Sequence, residues 1–335
     1  MVFTKKMINA QLSLNSKLFD ADIETASVRG GFGEGLIQAG EADQRVVVLC
    51  ADLKESTRVQ AFAEKFPERF VEVGVAEQNM VTIAAGMAAA GKIPFAASYA
   101  VFSPGRNWEQ IRTTICYNNQ PVKIIGSHTG VTVGPDGATH QALEDIALMR
   151  VLPNMTVLSP VDAIEARKMA VAVAKYPGPC YVRLPRVDCP VITSEQTPFE
   201  IGKAQIYFDG KDATIIATGE MVRTALLAAK ELEENKISVR VINVSTIKPL
   251  DQQTILQAAE ETGAIVTVED HQAAGGLGSA VAELVSQQFP VPVKILGVED
   301  KFGESGQPGE LLQKYNLTGE EIARAVTGVL RLKNK

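Results

Sequence analysis

The run Val46-Val-Val-Leu-Cys50 is apolar at every position. A strand with one wet face alternates apolar and polar side chains, so a strand that is apolar throughout has to be covered on both faces. Phe70-Val-Glu-Val, Ile93 to Val101, Val122 to Ser127 and Met155 to Ser159 are further short β-rich runs. Between them lie longer helical patterns. Gln78 to Ala90 is rich in Ala, Met and Ile with Gly91 placed to stop it, and Val161 to Lys175 forms another. Strands alternating with helices imply a mainly parallel sheet covered on both sides, the doubly wound α/β arrangement.

The rhythm breaks at Asp188 to Lys203, where Pro190, Pro198, Thr, Ser and Gln accumulate, and this stretch reads as an interdomain linker. A second α/β set follows: a strand at Ala213 to Ala217, a helix at Met221 to Asn235, a strand at Ser238 to Val244, a helix at Leu250 to Glu261 and a strand at Ala264 to Glu269. A glycine-rich turn and a helix through Val285 come next. At 335 residues the chain is long enough for two domains. They are expected at residues 22–188 and 206–333, with 189–205 between.

With 46% apolar and 21% charged residues the composition is globular, and a net charge of −6 argues against nucleic acid as a partner. No apolar run reaches 18 residues and the N-terminus lacks a secretion signal, so neither a membrane nor export is expected. Cys50, Cys116, Cys180 and Cys189 have no metal-like spacing, which points to buried reduced thiols in a cytoplasmic protein.

Chemistry concentrates in Ser127-His-Thr-Gly-Val-Thr-Val-Gly-Pro-Asp-Gly-Ala-Thr-His140-Gln, which carries two of the three histidines of the chain. So glycine-rich a run cannot be a helix or a central strand interior, and its bland reading is a capped surface loop. It follows an apolar run, however, and α/β proteins place their ligands at the carboxyl ends of strands. Gly74-Val-Ala-Glu77-Gln-Asn-Met80 puts a carboxylate where a strand gives way to a buried helix; it either complements the helix dipole or works as a functional acid. Tyr99 and Phe102, near the end of a strand, are either core aromatics or a platform for a planar ring.

Taken together, GVAEQNM, the ADLKES turn, the aromatic pair and the SHTGVTVGPDGATHQ loop resemble the pyrimidine-binding domain of transketolase. His128, Asp136 and His140 keep the spacing of that family's catalytic loop, eight and twelve residues from the first histidine. Val268-Glu-Asp-His-Gln-Ala-Ala-Gly-Gly-Leu-Gly-Ser279 resembles the C-terminal domain of the same enzymes. The resemblance implies thiamine diphosphate as cofactor. Glu77 would bond the aminopyrimidine ring and activate it by sharing a proton, Phe102 and Tyr99 would pack against that ring, and Asp52 and Leu53 would lie close to it. His140 would assist proton transfer, Asp136 would read a substrate hydroxyl, and Arg29, Ser56, His128 and Arg186 would form the phosphate end. His271, in the second domain, reads as structural.

A Gly-Asp-Gly motif with a downstream Asn, by which this family holds the diphosphate through Mg2+ or another divalent cation, is not found: Gly134-Pro-Asp-Gly137 interrupts it and Phe208-Asp-Gly-Lys211 lacks the first glycine. The resemblance therefore implies the C-terminal half of a split transketolase, with the metal ligands on a separate N-terminal, diphosphate-binding subunit and an α2β2 assembly acting on phosphorylated sugars. A 1-deoxyxylulose-5-phosphate synthase half, a 2-oxoacid dehydrogenase β subunit and a transketolase for an unusual ketose remain the alternatives.

Overall fold

The structure is a computed structural model that describes residues 8–333; the reading of the extreme N-terminus as free of a secretion signal extends outside them. Fourteen strands are named in chain order: β1 (Thr25–Ser27), β2 (Val46–Cys50), β3 (Phe70–Glu72), β4 (Ile93–Tyr99), β5 (Lys123–Thr129), β6 (Thr156–Leu158) and β7 (Cys180–Pro185). They continue as β8 (Asp188–Pro190), β9 (Gln205–Phe208), β10 (Ala213–Ala217), β11 (Val239–Asn243), β12 (Thr246–Lys248), β13 (Ile265–Gln272) and β14 (Val293–Val298).

The first large sheet runs β12-β6-β7-β5-β4-β2-β3 and is parallel from β6 to β3. Its all-apolar β2 explains the covering. Val46, Val48 and Cys50 face a core shared with Phe32 and Leu36 of helix Val28–Ala42 and Met169 and Val173 of helix Ala163–Lys175. Val47 and Leu49 point the other way, onto Met80, Val81 and Ala84 of helix Glu77–Ala89. Helix Val28–Ala42 had no pattern that marked it in advance because glycines interrupt it. Those glycines are contact residues: a Cβ on Gly31 would lie 2.0 Å from the Ala163 carbonyl oxygen, and one on Gly35 2.2 Å from that of Arg167. The two helices touch backbone to backbone.

The second sheet, β14-β13-β10-β11-β9, is parallel except for β9. Most expected elements are present within a residue or two, as for Ala213–Ala217 and helix Met221–Glu234. All four cysteines are buried free thiols, and no described helix is long and apolar enough to cross a membrane.

Three segments depart from a simple two-domain chain. Residues 8–23, all but the last two of which precede the expected first domain, pack on the second: Asn9 donates N–H to the Tyr207 carbonyl at 3.1 Å, and Leu12, Leu18 and Ile23, the last of them expected in the first domain, enter its core. The expected linker is fixed rather than free. β8 pairs with β1, and the Asp162 carboxylate accepts N–H bonds from Ile192 and Thr193 at 2.9 and 2.6 Å. The third departure is β12, which leaves the second domain and adds antiparallel to β6, at the edge of the first sheet. Proline-rich composition marks a linker only where backbone donors stay solvated, and Asp162 removes that condition.

Between the domains Glu165 is buried, accepting from Val161 N–H at 2.7 Å, Ser245 Oγ at 2.7 Å and Asn243 Nδ2 at 3.2 Å. Burial outweighs these bonds and pushes its carboxyl up to about 7 from 4.5. The stability this raised group contributes is full below 4.5 and is lost as pH rises through about 7. Glu165→Gln is expected to flatten the decline in urea-measured stability between about pH 5 and pH 8. An unchanged slope would remove Glu165 as its source.

Candidate active site

The carboxyl ends of β2, β4, β5 and β7 bring the sequence-singled residues together. β4 ends at Tyr99 and turns at once, with the Phe102 N–H bonded to the Tyr99 carbonyl at 2.9 Å. β5 ends through His128, whose φ of +58° is left-handed and redirects the chain into the glycine-rich run. The expected loop thus begins as a buried strand, Ser127 to Thr129. The Tyr99 and His128 rings stack at 3.8 Å, Phe102 lies 5.9 Å from Tyr99, and the His140 ring stands edge-on to Phe102 at 5.6 Å and to Tyr99 at 6.1 Å. Tyr99 is therefore packed into the imidazole cluster, with Phe102 stacked beside it.

The helix expected to be buried is so on one face only, with Gln78, Asn79 and Thr82 exposed on the other; Glu77 starts it on the buried face, is 3% exposed, and receives no cap from the preceding Ala76 side chain. Its carboxylate is held by Arg106, one Nη of which lies 3.1 and 3.0 Å from the two oxygens. The same guanidinium lies 4.0 Å over the Phe102 ring. Asn107, fully buried, donates to the Glu77 carbonyl at 3.0 Å and to Ser103 Oγ at 3.1 Å, locking the aromatic turn to the helix start. Arg106 and Asn107 were missed in the sequence; the spacing of Arg106, one helical turn after Phe102, was the available signal.

Asp52 is exposed and sits at a φ of +60°, and its N–H shares the Glu72 carboxylate with the Gly74 N–H at 2.8 and 2.9 Å. Glu72 thereby ties the ADLKES turn to the segment that leads into Glu77. Leu53 is half-buried beside it and Asp136 is exposed on the loop.

Arg29, 8% exposed, donates to the main-chain carbonyls of Ser56 at 2.5 Å and Arg186 at 2.6 Å. It braces the phosphate-end residues by their backbones, and its buried Nε has no partner among the described residues. Arg186 in turn donates to the Val133 carbonyl at 3.2 Å. Burial, with Arg58 and Arg186 nearby, lowers the Arg29 pKa from its ordinary value.

The second domain fixes the loop. Asp270 on β13 accepts the Val131 N–H at 2.9 Å, and a Cβ on Gly130, at φ +78°, would fall 2.0 Å from its carboxylate. Gln141 donates to the carbonyls of Val131 at 3.0 Å and Glu304 at 2.9 Å. His271 accepts the Ala147 N–H at Nε2 and sits 2.7 Å from the Gln272 carbonyl at Nδ1, which makes it a bridge between the domains. Among the described residues no group of three or more His, Cys, Asp or Glu side chains is placed to hold a metal ion.

Burial, then the charges of Arg29 and Arg186, push the His128 imidazole down to about 3. A neutral ring can donate at one nitrogen and accept at the other without adding charge. In a histidine-labelled chain, the His128 NMR shifts are expected to stay those of a neutral ring down to about pH 4. Titration near its ordinary value of 6.5 would contradict the packing described here.

The chain matches the transketolase pyrimidine-binding domain over residues 24–191 and the transketolase C-terminal domain over residues 202–322. A protein of Methanocaldococcus jannaschii described as a transketolase C-terminal section is 48% identical, across 89% of this chain and 95% of its own length. A 6-deoxy-6-sulfo-D-fructose transketolase subunit of Clostridium is 42% identical across 94% of this chain and 98% of its own length. Human transketolase is 37% identical across 91% of this chain, which spans 49% of that enzyme. Among solved structures, a split-gene transketolase described as an inactive β4 tetramer superposes with a TM-score of 0.86 at 46% identity, covering 92% of this chain and 99% of the other. The chain belongs to the transketolase family, in which it corresponds to the C-terminal section that joins a pyrimidine-binding domain to a C-terminal domain.

Proposed function

We propose that this chain is one subunit of a two-chain transketolase, moving a two-carbon ketol unit from a ketose phosphate to an aldose phosphate with thiamine diphosphate. The observation that carries the reading is the convergence of a buried carboxylate, an aromatic ring and two imidazoles at the ends of parallel strands. The site also passes a test of fit. Glu77 and Phe102 already hold a planar, nitrogen-edged group, the Arg106 guanidinium, so they suit the pyrimidine ring of the cofactor.

The cofactor supplies an electron sink when bound. This chain's residues do the rest. Glu77 would hold a proton at the ring nitrogen, and Phe102 would fix the plane of the ring. Tyr99, wedged against His128, keeps the imidazoles in register, and Asp52 and Leu53 border the cofactor across the subunit contact. His140 exchanges protons at the substrate hydroxyl nearest the cleaved bond, and Asp136 orients another. Neutral His128, Ser56 and Arg186, braced by Arg29, receive the anionic end of the sugar; guanidinium suits an oxyanion through paired donors. An anionic end is also what a sulfofructose or an apulose phosphate would present, and relatives include a sulfofructose and an apulose-4-phosphate transketolase subunit. The identity of the ketose is the finer part of this proposal.

The diphosphate and its Mg2+ are assigned to a partner N-terminal subunit, in an α2β2 assembly in the cytoplasm. Light scattering of the reconstituted mixture should give the mass of two of each chain, and calorimetry with magnesium should show no tight cofactor binding by this chain alone. Micromolar binding by the isolated chain would defeat the split assignment.

In the complex, Glu77→Ala should lower turnover by at least about a hundredfold, and His140→Ala should slow turnover more than it raises KM. Arg186→Ala should raise KM for phosphorylated donors by about tenfold or more while leaving hydroxypyruvate nearly unaffected. Equal damage to both donors would make Arg186 structural.

A further inference from the structure

We infer that Arg106 is a removable occupant of the ring seat: its guanidinium holds Glu77 and covers Phe102 until the cofactor displaces it. The inference rests on the thiamine diphosphate reading given above. Two contacts define the seat, and Arg106 makes both. It meets the two oxygens of Glu77 at 3.1 and 3.0 Å and lies 4.0 Å from the centroid of Phe102. A guanidinium is flat, delocalised and edged with N–H donors, so it satisfies a carboxylate and an aromatic face at once, as an aminopyrimidine would. Both cannot be there together.

The occupant is the accessible member of the pair. The side chain of Arg106 is 48% exposed while that of Glu77 is 3% exposed. One partner is fixed in the protein and the other reaches in from solvent. The two line an open cavity of about 400 Å³ with Val75, Ala76, Gln78 and Asn79, which gives the guanidinium room to swing aside. The arrangement also meets a physical need. Glu77 in an empty seat would be a buried carboxylate without a partner, which is strongly unfavourable. Arg106 neutralises it while the ring is absent, and an exposed arginine loses little by returning to water. The device makes cofactor binding an exchange of partners at Glu77, with the affinity reduced by the stability of the pair it breaks.

The test measures binding rather than turnover. Thiamine diphosphate with magnesium is titrated calorimetrically into the reconstituted complex carrying wild-type Arg106, Arg106→Ala or Arg106→Lys. Arg106→Ala is expected to bind roughly tenfold more tightly, the combined scale of one partly exposed ion pair and one cation–π contact. Arg106→Lys, which keeps the charge but not the flat stack, should fall between. In the isolated wild-type chain the Arg106 Nη–H NMR signal should be protected from exchange by the bonds to Glu77, and in the complex it should lose protection when cofactor is added. Equal or weaker binding by Arg106→Ala would overturn the inference while leaving the thiamine diphosphate reading intact. Failure of wild type and both variants to bind the cofactor would overturn the reading and the inference together.

Discussion

A buried guanidinium joins the two domains beneath the loop that runs from His128 to His140. Arg183 Nε donates to the Asp145 carboxylate at 2.9 Å and its Nη to the Asp270 main-chain carbonyl at 2.6 Å, while Tyr181 donates to the same Asp145 oxygen at 2.7 Å. Burial works against the charge of Arg183, but Asp145 and Asp270 outweigh it and raise its pKa. Removing one member of such a set leaves an uncompensated charge in the interior, at a cost of about 3–5 kcal/mol. Asp270 is also the residue whose carboxylate holds the Val131 N–H. The loop that presents His128 and His140 is thus positioned from both sides, and the second domain, which carries none of the proposed chemistry, sets the geometry of the first.

The same packing decides what the imidazoles can do. His128 is stacked under Tyr99, with burial and the nearby Arg29 and Arg186 lowering its pKa, an environment that suits the polar contact proposed for it rather than an acid at neutral pH. His140 stands half-buried at the mouth of the cluster with its Nδ1 3.0 Å from Thr139 Oγ1. Two histidines twelve residues apart thus occupy different environments, one buried and one half-buried.

Much of this was legible in the sequence for a simple reason. Apolar runs and turn residues report local structure, so β2, β10 and the helix beginning at Glu77 were marked by side-chain pattern alone. Helix Val28–Ala42 escaped because glycine reads as a breaker, whereas here Gly31 and Gly35 permit close contact with a neighbouring helix. The fixed character of residues 188–203 escaped because the carboxylate that anchors them, Asp162, is distant in sequence. At the site, residue types announced Glu77, His128 and His140, while Arg106 and Asp270 act through partners that only the folded chain supplies.

β12 carries a further meaning. A sheet edge is a row of unpaired N–H and C=O groups, a template on which another chain can add and aggregate. The β6 edge of the first sheet is closed by residues 246–248 of the second domain, and Lys248 reaches over to the Arg150 carbonyl at 2.8 Å. The pyrimidine-binding fold therefore borrows its protection against self-association from the domain that follows it. Severed after its own last strand, it would present β6 as a sticky border.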